Sequence, residues 1–312
     1  FAPQIDVRGT AVATYDYAYF NEELLGNESM IIYNRDDHRN VESAVNKFKN
    51  RFHVDSISIA SIDSRYYKAN GATIRKDLDS ILEKNKCDAM YVLKGGSNDG
   101  LYSDKFPTFV HCTGYKNEPH GSVYAYVSNH VNNTAADGKF QVVPHMINIP
   151  DHNENLRSEL GIPKEFTVYG RTGGIDTWNL PGASQVVEAA VRNRPDVFFL
   201  FQNTPKFIEH PRVKFLDPDP DLHFKTKFIN TCDALLHARQ EGESFGLVCG
   251  EFSVRNKPVI TWYGSPERNH IEVLQDRGIY YMNHDQLFDI LLRFKPIKNK
   301  NYNCYNNYLP EP

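Results

Sequence analysis

No apolar run in this 312-residue chain approaches the roughly 20 residues that a membrane-spanning helix needs, so the sequence predicts none. Cysteine is sparse: the five residues Cys87, Cys112, Cys232, Cys249 and Cys304 are widely spaced and form no Cys-x-x-Cys pair, which removes the usual structural zinc signature. Cys112, Cys232 and Cys249 stand in or beside apolar stretches and read as small core residues, so a reducing, cytoplasmic compartment is expected. Excess positive charge is also missing. A net charge of -4 argues against a dedicated nucleic-acid binder, which needs a basic face, but leaves room for a local basic pocket. A basic-then-apolar leader is lacking too, and the chain opens at Phe1, so it reads as trimmed or excised from a longer polypeptide.

What is present is alternation. Apolar runs of strand length, such as Ser29–Tyr33, Asp88–Leu93, Phe166–Tyr169, Val197–Phe201 and Ala234–His237, are separated by amphipathic stretches such as Val41–Phe52, Ala72–Lys84 and Ser184–Arg192. That pattern predicts an α/β protein with parallel sheets covered by helices on both faces. A polar stretch ending at Pro163 interrupts the pattern, which then restarts. We therefore expect a Rossmann-like domain over 1–150, a linker over 151–163 with a short helix around Leu156, a second Rossmann-like domain over 164–294, and an aperiodic tail over 295–312 that is partly mobile or packs across the domain junction. Two doubly wound domains facing each other across a cleft would bring ligands to the carboxyl edges of their strands.

The segment Ala238-Arg-Gln-Glu-Gly-Glu243-Ser-Phe-Gly-Leu-Val-Cys-Gly-Glu251 follows a predicted strand and opens a predicted helix. Phe245, Gly246 and Leu247 would offer backbone N–H groups at the helix start, where the dipole also favours a phosphate. Glu243 precedes the helix and Glu251 lies about two turns in, so each carboxylate could accept hydrogen bonds from hydroxyls on either side of a diphosphate. On spacing alone, a capped surface helix with two solvated glutamates fits as well.

The pattern Glu, seven residues, Glu, with an internal Phe-Gly-Leu, resembles the signature of retaining GT-B glycosyltransferases, especially glycosyltransferase family four. The resemblance extends to Tyr169-Gly-Arg171, Asn256–Thr261, Val142–Ile147 and Leu156–Ile162 in the expected order, and is weaker before Phe106. It implies that Glu243 and the neighbouring Ser244 hold the donor sugar, that Phe245, Gly246 and Leu247 bind phosphate, and that Glu251 holds the ribose. It implies that Arg171 neutralises the diphosphate and that Gly9 and Thr10 close over the donor. It places Phe215 and Asp217 beside the base, and His111 facing the reacting sugar. The substrates implied are a UDP- or GDP-linked sugar and a glycan acceptor. The acceptor would bind on the N-terminal side and the sugar would be transferred with retention, without a metal or other cofactor. The family has a lysine about six residues after the arginine. Thr177 stands there, which leaves Lys206 or Arg239 to supply a second charge.

Other patterns carry less. Asp217-Pro-Asp-Pro-Asp221 contains Asp-x-Asp, a metal-binding motif in other glycosyltransferases, but its prolines and the following helix read as a loop and helix cap. Gly95–Gly100 lacks the Gly-Lys-Ser/Thr ending of a phosphate loop. His111, His120 and His130 do not have compact metal-ligand spacing. Two other readings remain open on the sequence: a non-catalytic GT-B module that binds a nucleotide or glycan, alone or beside other domains of a longer polypeptide, and a nucleotide-sugar epimerase of the same fold.

Overall fold

A computed structural model describes residues 1–60, 64–297 and 299–310. The chain divides into two compact units, Phe1–Met146 and a second from Ile147 onward.

The first unit contains α1 (Gly9–Glu23), β1 (Met30–Asn34), α2 (Glu42–Lys49), β2 (His53–Ile57), α3 (Ser64–Lys84), β3 (Met90–Lys94), β4 (Thr108–Cys112), β5 (Val123–Tyr126), α4 (Asn129–Ala136) and β6 (Gln141–Val142). β1 pairs with β2, and β3 to β6 pair in sequence order, every pairing parallel. Residues 1 and 2 stitch the two sheets together: the Ala2 N–H donates to Ile32 at 2.8 Å, and the Phe1 nitrogen donates to the Tyr91 carbonyl at 2.5 Å. α1 was not expected from the sequence. Its buried positions, Ala11, Ala13, Thr14 and Asp16, do not follow a helical stripe, and no side chain caps its start. Tyr15 fixes it from the side, edge-on to Phe48 at 5.2 Å and to Phe52 at 5.3 Å.

The second unit contains β7 (Thr167–Arg171), α5 (Ala183–Asn193), β8 (Val197–Gln202), β9 (Val213–Leu216), α6 (Leu222–Thr231), β10 (Ala234–His237), β11 (Gly242–Glu243), α7 (Leu247–Val254), β12 (Val259–Trp262), β13 (Glu267–Arg268), α8 (Asn269–Leu274), β14 (Ile279–Tyr281) and α9 (His284–Arg293). Its main sheet has the order β14-β12-β10-β7-β8-β9, all parallel. Counted from β7 as the first strand, this is the doubly wound order 3-2-1-4-5-6, and the order reverses between β7 and β10. All six residues of β8 are buried, because helices cover both faces. On one face Tyr169, Val187, Val191, Phe199 and Phe201 pack with Leu287 and Leu291 of α9. On the other, Gly170 is required by close packing: a Cβ there would lie 2.3 Å from the Cys232 sulfur.

The helix expected around Leu156 is not formed. Residues 156–161 make turns, ended by Gly161 at φ +62 and by Pro163. Leu156 is instead tied to α6 through a backbone hydrogen bond to the Thr231 hydroxyl at 2.8 Å. The aperiodic tail packs on α7. Ser253 Oγ donates to the Tyr302 carbonyl at 3.0 Å, and the Tyr305 ring is fully buried.

Candidate functional site

Because every strand of the second sheet is parallel, Arg171, Gln202, Leu216 and His237 end their strands on one edge, the carboxyl edge, and Arg171 and His237 flank the reversal in strand order. The candidate site is built outward from His237.

The His237 ring is buried. Its Nε2 lies 3.1 Å from Glu243 Oε1, and its Nδ1 lies 2.8 Å from the hydroxyl of Thr261, the residue directly opposite it on β12. The same hydroxyl lies 3.1 Å from Nε2 of His270, which is the second residue of α8 and is fully buried. Arg239 donates to the second Glu243 oxygen at 3.0 Å. Burial alone would raise the Glu243 pKa. The His237 hydrogen bond and the Arg239 charge outweigh it and hold the carboxyl at about 2. Glu243 is therefore an anion that only accepts hydrogen bonds. His237 Nε2–H therefore donates to Glu243. His270 Nδ1 is buried with no hydrogen-bond partner. Burial pulls His270 down to about 3.

Gly246, at φ +93 and ψ 57, caps α7 in the left-handed conformation, and a Cβ there would come within 3.0 Å of His270 Cβ. The first bond of this helix runs from Gly250 N–H to the Gly246 carbonyl at 2.9 Å, and no side chain caps the end. The N–H groups of Leu247, Val248 and Cys249 therefore precede the helical ladder, at the positive end of the dipole. Phe245 is held from below: its carbonyl accepts from Asn269 Nδ2 at 2.9 Å and from the Tyr305 hydroxyl at 3.2 Å. Ser244 lies between Glu243 and Phe245, partly buried. Glu251 is buried on α7, with Oε1 paired to Lys225 of α6, while Oε2 is buried with no hydrogen-bond partner.

Arg171 is buried at the end of β7 and hydrogen-bonded within the protein. Its NH1 donates to the Asn203 carbonyl at 2.8 Å and to Thr204 Oγ1 at 2.6 Å, and its NH2 to the Gly174 carbonyl and Thr177 Oγ1, both at 2.6 Å. Burial lowers it to about 10, so it stays cationic, but both terminal nitrogens are committed to holding two loops. Thr177, where a lysine was expected, is one of its partners. The guanidinium that meets Glu243 is that of Arg239.

Phe215 stacks on Phe201 at 5.2 Å and lies edge-on to Phe207 at 5.2 Å, while the Asp217 carbonyl accepts from Gln202 at 3.4 Å. Both lie at the carboxyl edge, Phe215 within an aromatic cluster. In the 217–221 segment, Asp221 caps α6 by accepting from the His223 and Phe224 N–H groups at 3.1 and 3.3 Å, the loop-and-cap arrangement that was expected.

In the first unit, Gly9 and Thr10 are the first two residues of α1, and the Thr10 carbonyl accepts from Thr14 Oγ1 at 2.9 Å. His111 lies in β4 with its Nδ1 bonded to the Tyr91 hydroxyl, and Tyr17 and His145 pack against the ring at 5.5 and 5.3 Å. Burial holds His111 at about 4, as a neutral imidazole.

The sequence reading did not find His237, Thr261, His270 or Lys225. His237 carried one signal, its place at the end of a predicted strand. Thr261 and His270 carried none, because strand pairing brings them in.

No family model matches this sequence, and no curated protein is similar to it. Solved structures are. A glycosyltransferase from Rickettsia africae matches with a TM-score of 0.64 at 15% identity, covering 92% of this chain and 85% of that one. HepE of Anabaena, solved with UDP and glucose, matches with a TM-score of 0.66 at 13% identity, covering 93% and 88%. This chain has the GT-B fold. The GT-B similarity extends to a candidate UDP-N-acetylglucosamine 2-epimerase from Listeria monocytogenes, with a TM-score of 0.61 at 12% identity over 97% of this chain and 91% of that one. At such identities the likeness speaks for the fold, and function must be argued from the site.

Proposed function

We propose that this chain is a glycosyltransferase that takes a sugar from a nucleotide-diphosphate donor and transfers it to a hydroxyl of a glycan acceptor. The observation that carries this reading is the pairing of two carboxylates with one uncapped helix start. Glu243 is held ionised before α7, Glu251 has a buried oxygen without a hydrogen-bond partner about one turn in, and the leading N–H groups of α7 lie between them in sequence. An ionised carboxylate accepts from sugar hydroxyls, a bare helix N-terminus accepts a diphosphate, and a second carboxylate oxygen accepts from ribose hydroxyls. The GT-B neighbour HepE, solved with UDP and glucose, supports a nucleotide-sugar ligand.

Glycosyl transfer develops negative charge on the departing diphosphate, and fixed N–H dipoles aimed there stabilise the transition state. In our reading Arg171 organises the loops at the sheet edge. Arg239 is the cation nearest the sugar carboxylate and becomes the candidate second charge. The reaction proceeds with retention, as in the family whose signature the Glu243–Glu251 segment resembles, and needs no metal. The base is that of UDP or GDP. Phe215 and Asp217 line its path. Five free thiols suit a cytoplasmic setting.

A second reading, epimerisation of the same class of ligand, is favoured by the Listeria neighbour. A thermal-shift panel of UDP-, GDP- and TDP-sugars, followed by product NMR, separates the two: transfer yields a new glycosidic linkage with retained anomeric configuration, and epimerisation yields an altered nucleotide sugar. Failure of every nucleotide sugar to stabilise the protein would refute both.

A further inference from the structure

We propose that His152, Glu154 and His223 form a zinc-binding site on the second unit, separate from the residues assigned to the nucleotide sugar. One ligand atom from each lies within 4.8 Å of the other two. His223 Nε2 and Glu154 Oε1 are already 3.1 Å apart, and tetrahedral zinc with bonds of roughly 2.0–2.1 Å sets its ligand atoms about 3.3 Å apart. The remaining closure is a side-chain rotation of partly exposed residues. Their backbone is fixed in advance: Asn230 Nδ2 donates to the His152 carbonyl at 2.7 Å and to the Glu154 carbonyl at 2.9 Å, and Arg255 donates to the His152 carbonyl at 2.7 Å.

The His152 ring is set up as a ligand. Its Nε2 meets the backbone carbonyl of His223 at 3.2 Å, so Nε2 is the N–H donor and the lone pair is on Nδ1, which is buried and has no hydrogen-bond partner. An imidazole that donates one N–H to a carbonyl and offers the other nitrogen is the usual second-shell arrangement of a metal-bound histidine. Two imidazoles and one carboxylate form the three-ligand set of an open zinc site, with water in the fourth position, and suit neither magnesium nor calcium. Lys227, 3.8 Å from the other Glu154 oxygen, also pairs with Glu159 at 3.1 Å and can turn to it when a cation binds. The ion would fasten the 151–155 segment to the first turn of α6, two residues before Lys225.

The test is a titration of chelator-stripped protein with zinc sulfate against a chromogenic chelator, for the full chain and for Glu154→Gln and the His152→Ala/His223→Ala double variant. Unchanged Tm values would establish that the variants are folded. We expect one tight equivalent in the parent, a loss of affinity of about tenfold or more in Glu154→Gln, loss of the site in the double variant, and no saturable binding of magnesium or calcium. Absence of a tight equivalent in the parent overturns the proposal. So does equal zinc binding by the double variant, which would place the ion on the free thiols.

Discussion

His237 Nε2 stands 3.1 Å from Glu243 Oε1, and the other nitrogen of the same ring stands 2.8 Å from Thr261 Oγ1. The Glu243 carboxylate, on the short strand β11, is thus oriented by a histidine of β10, which is oriented by the hydroxyl opposite it on β12. The main sheet thereby holds the carboxylate in place, the condition under which a fixed acceptor can act on a transition state without reorganisation.

Glu243→Gln keeps the shape but removes the negative charge. A hydrogen bond to a charged group is worth about 1.5–3 kcal/mol, so turnover should fall roughly 10- to 100-fold. Nucleotide affinity should change far less, because the diphosphate and ribose contacts remain. Initial rates together with calorimetric nucleotide affinity check this, and an unchanged rate would remove the role assigned to Glu243.

Thr261→Val deletes the hydroxyl between His237 and His270, whereas Thr261→Ser keeps it. We expect a fall in kcat of about tenfold for valine, in line with a hydrogen bond of about 1 kcal/mol or slightly more, and near-parent activity for serine. Nitrogen-15 NMR of the histidines should show His237 protonated at Nε2 in the parent and in the serine variant. A His237 without a proton at Nε2 in the parent would contradict its hydrogen bond to Glu243.

The parts of the site that could be read from the sequence were local ones. Glu243, Gly246 and Glu251 lie on one strand-loop-helix unit, and strand β10 and helix α7 fall where the pattern places them. The His237–Thr261–His270 chain depends on the register of β10 against β12 and on where α8 docks, neither of which is encoded in local spacing. Arg171 shows the opposite case: its position at the end of a strand was legible, but its partners, from Gly174 to Thr204, are set by two loops that fold back on it. Helix α1 escaped notice because tyrosines and small residues alternate along it without a stripe.

Acid should destabilise the fold between pH 6.5 and 4. His111 and His270 are held neutral by burial, at about 4 and about 3, below the ordinary 6.5. The unfolded chain takes up these protons first, so their contribution is fully present above pH 6.5 and is lost as pH falls, at up to about 1.4 kcal/mol per pH unit for each. Glu243, at about 2 against an ordinary 4.5, adds stability above pH 4.5 that is lost below it. Tm measured across this range should decline steadily, and a flat profile from 6.5 to 4.5 would contradict the buried, neutral histidines.

Sugar transfer should persist in EDTA, because in our reading the N–H groups at the start of α7 stabilise the diphosphate, and within the 217–221 segment the Asp221 carboxylate is engaged in capping α6. Loss of transfer in EDTA with recovery on adding manganese would return those aspartates to the mechanism.

In our reading the start of α7, with Glu243 before it and Glu251 within it, holds a nucleotide-diphosphate sugar. Isothermal titration of UDP-, GDP- and TDP-sugars into the parent and into Glu251→Ala tests it most directly. We expect saturable, one-site binding of at least one of them to the parent, and a loss of roughly 10- to 100-fold in the folded variant as the ribose loses its charged acceptor. No binding of any nucleotide sugar, or binding unchanged by Glu251→Ala, would contradict it.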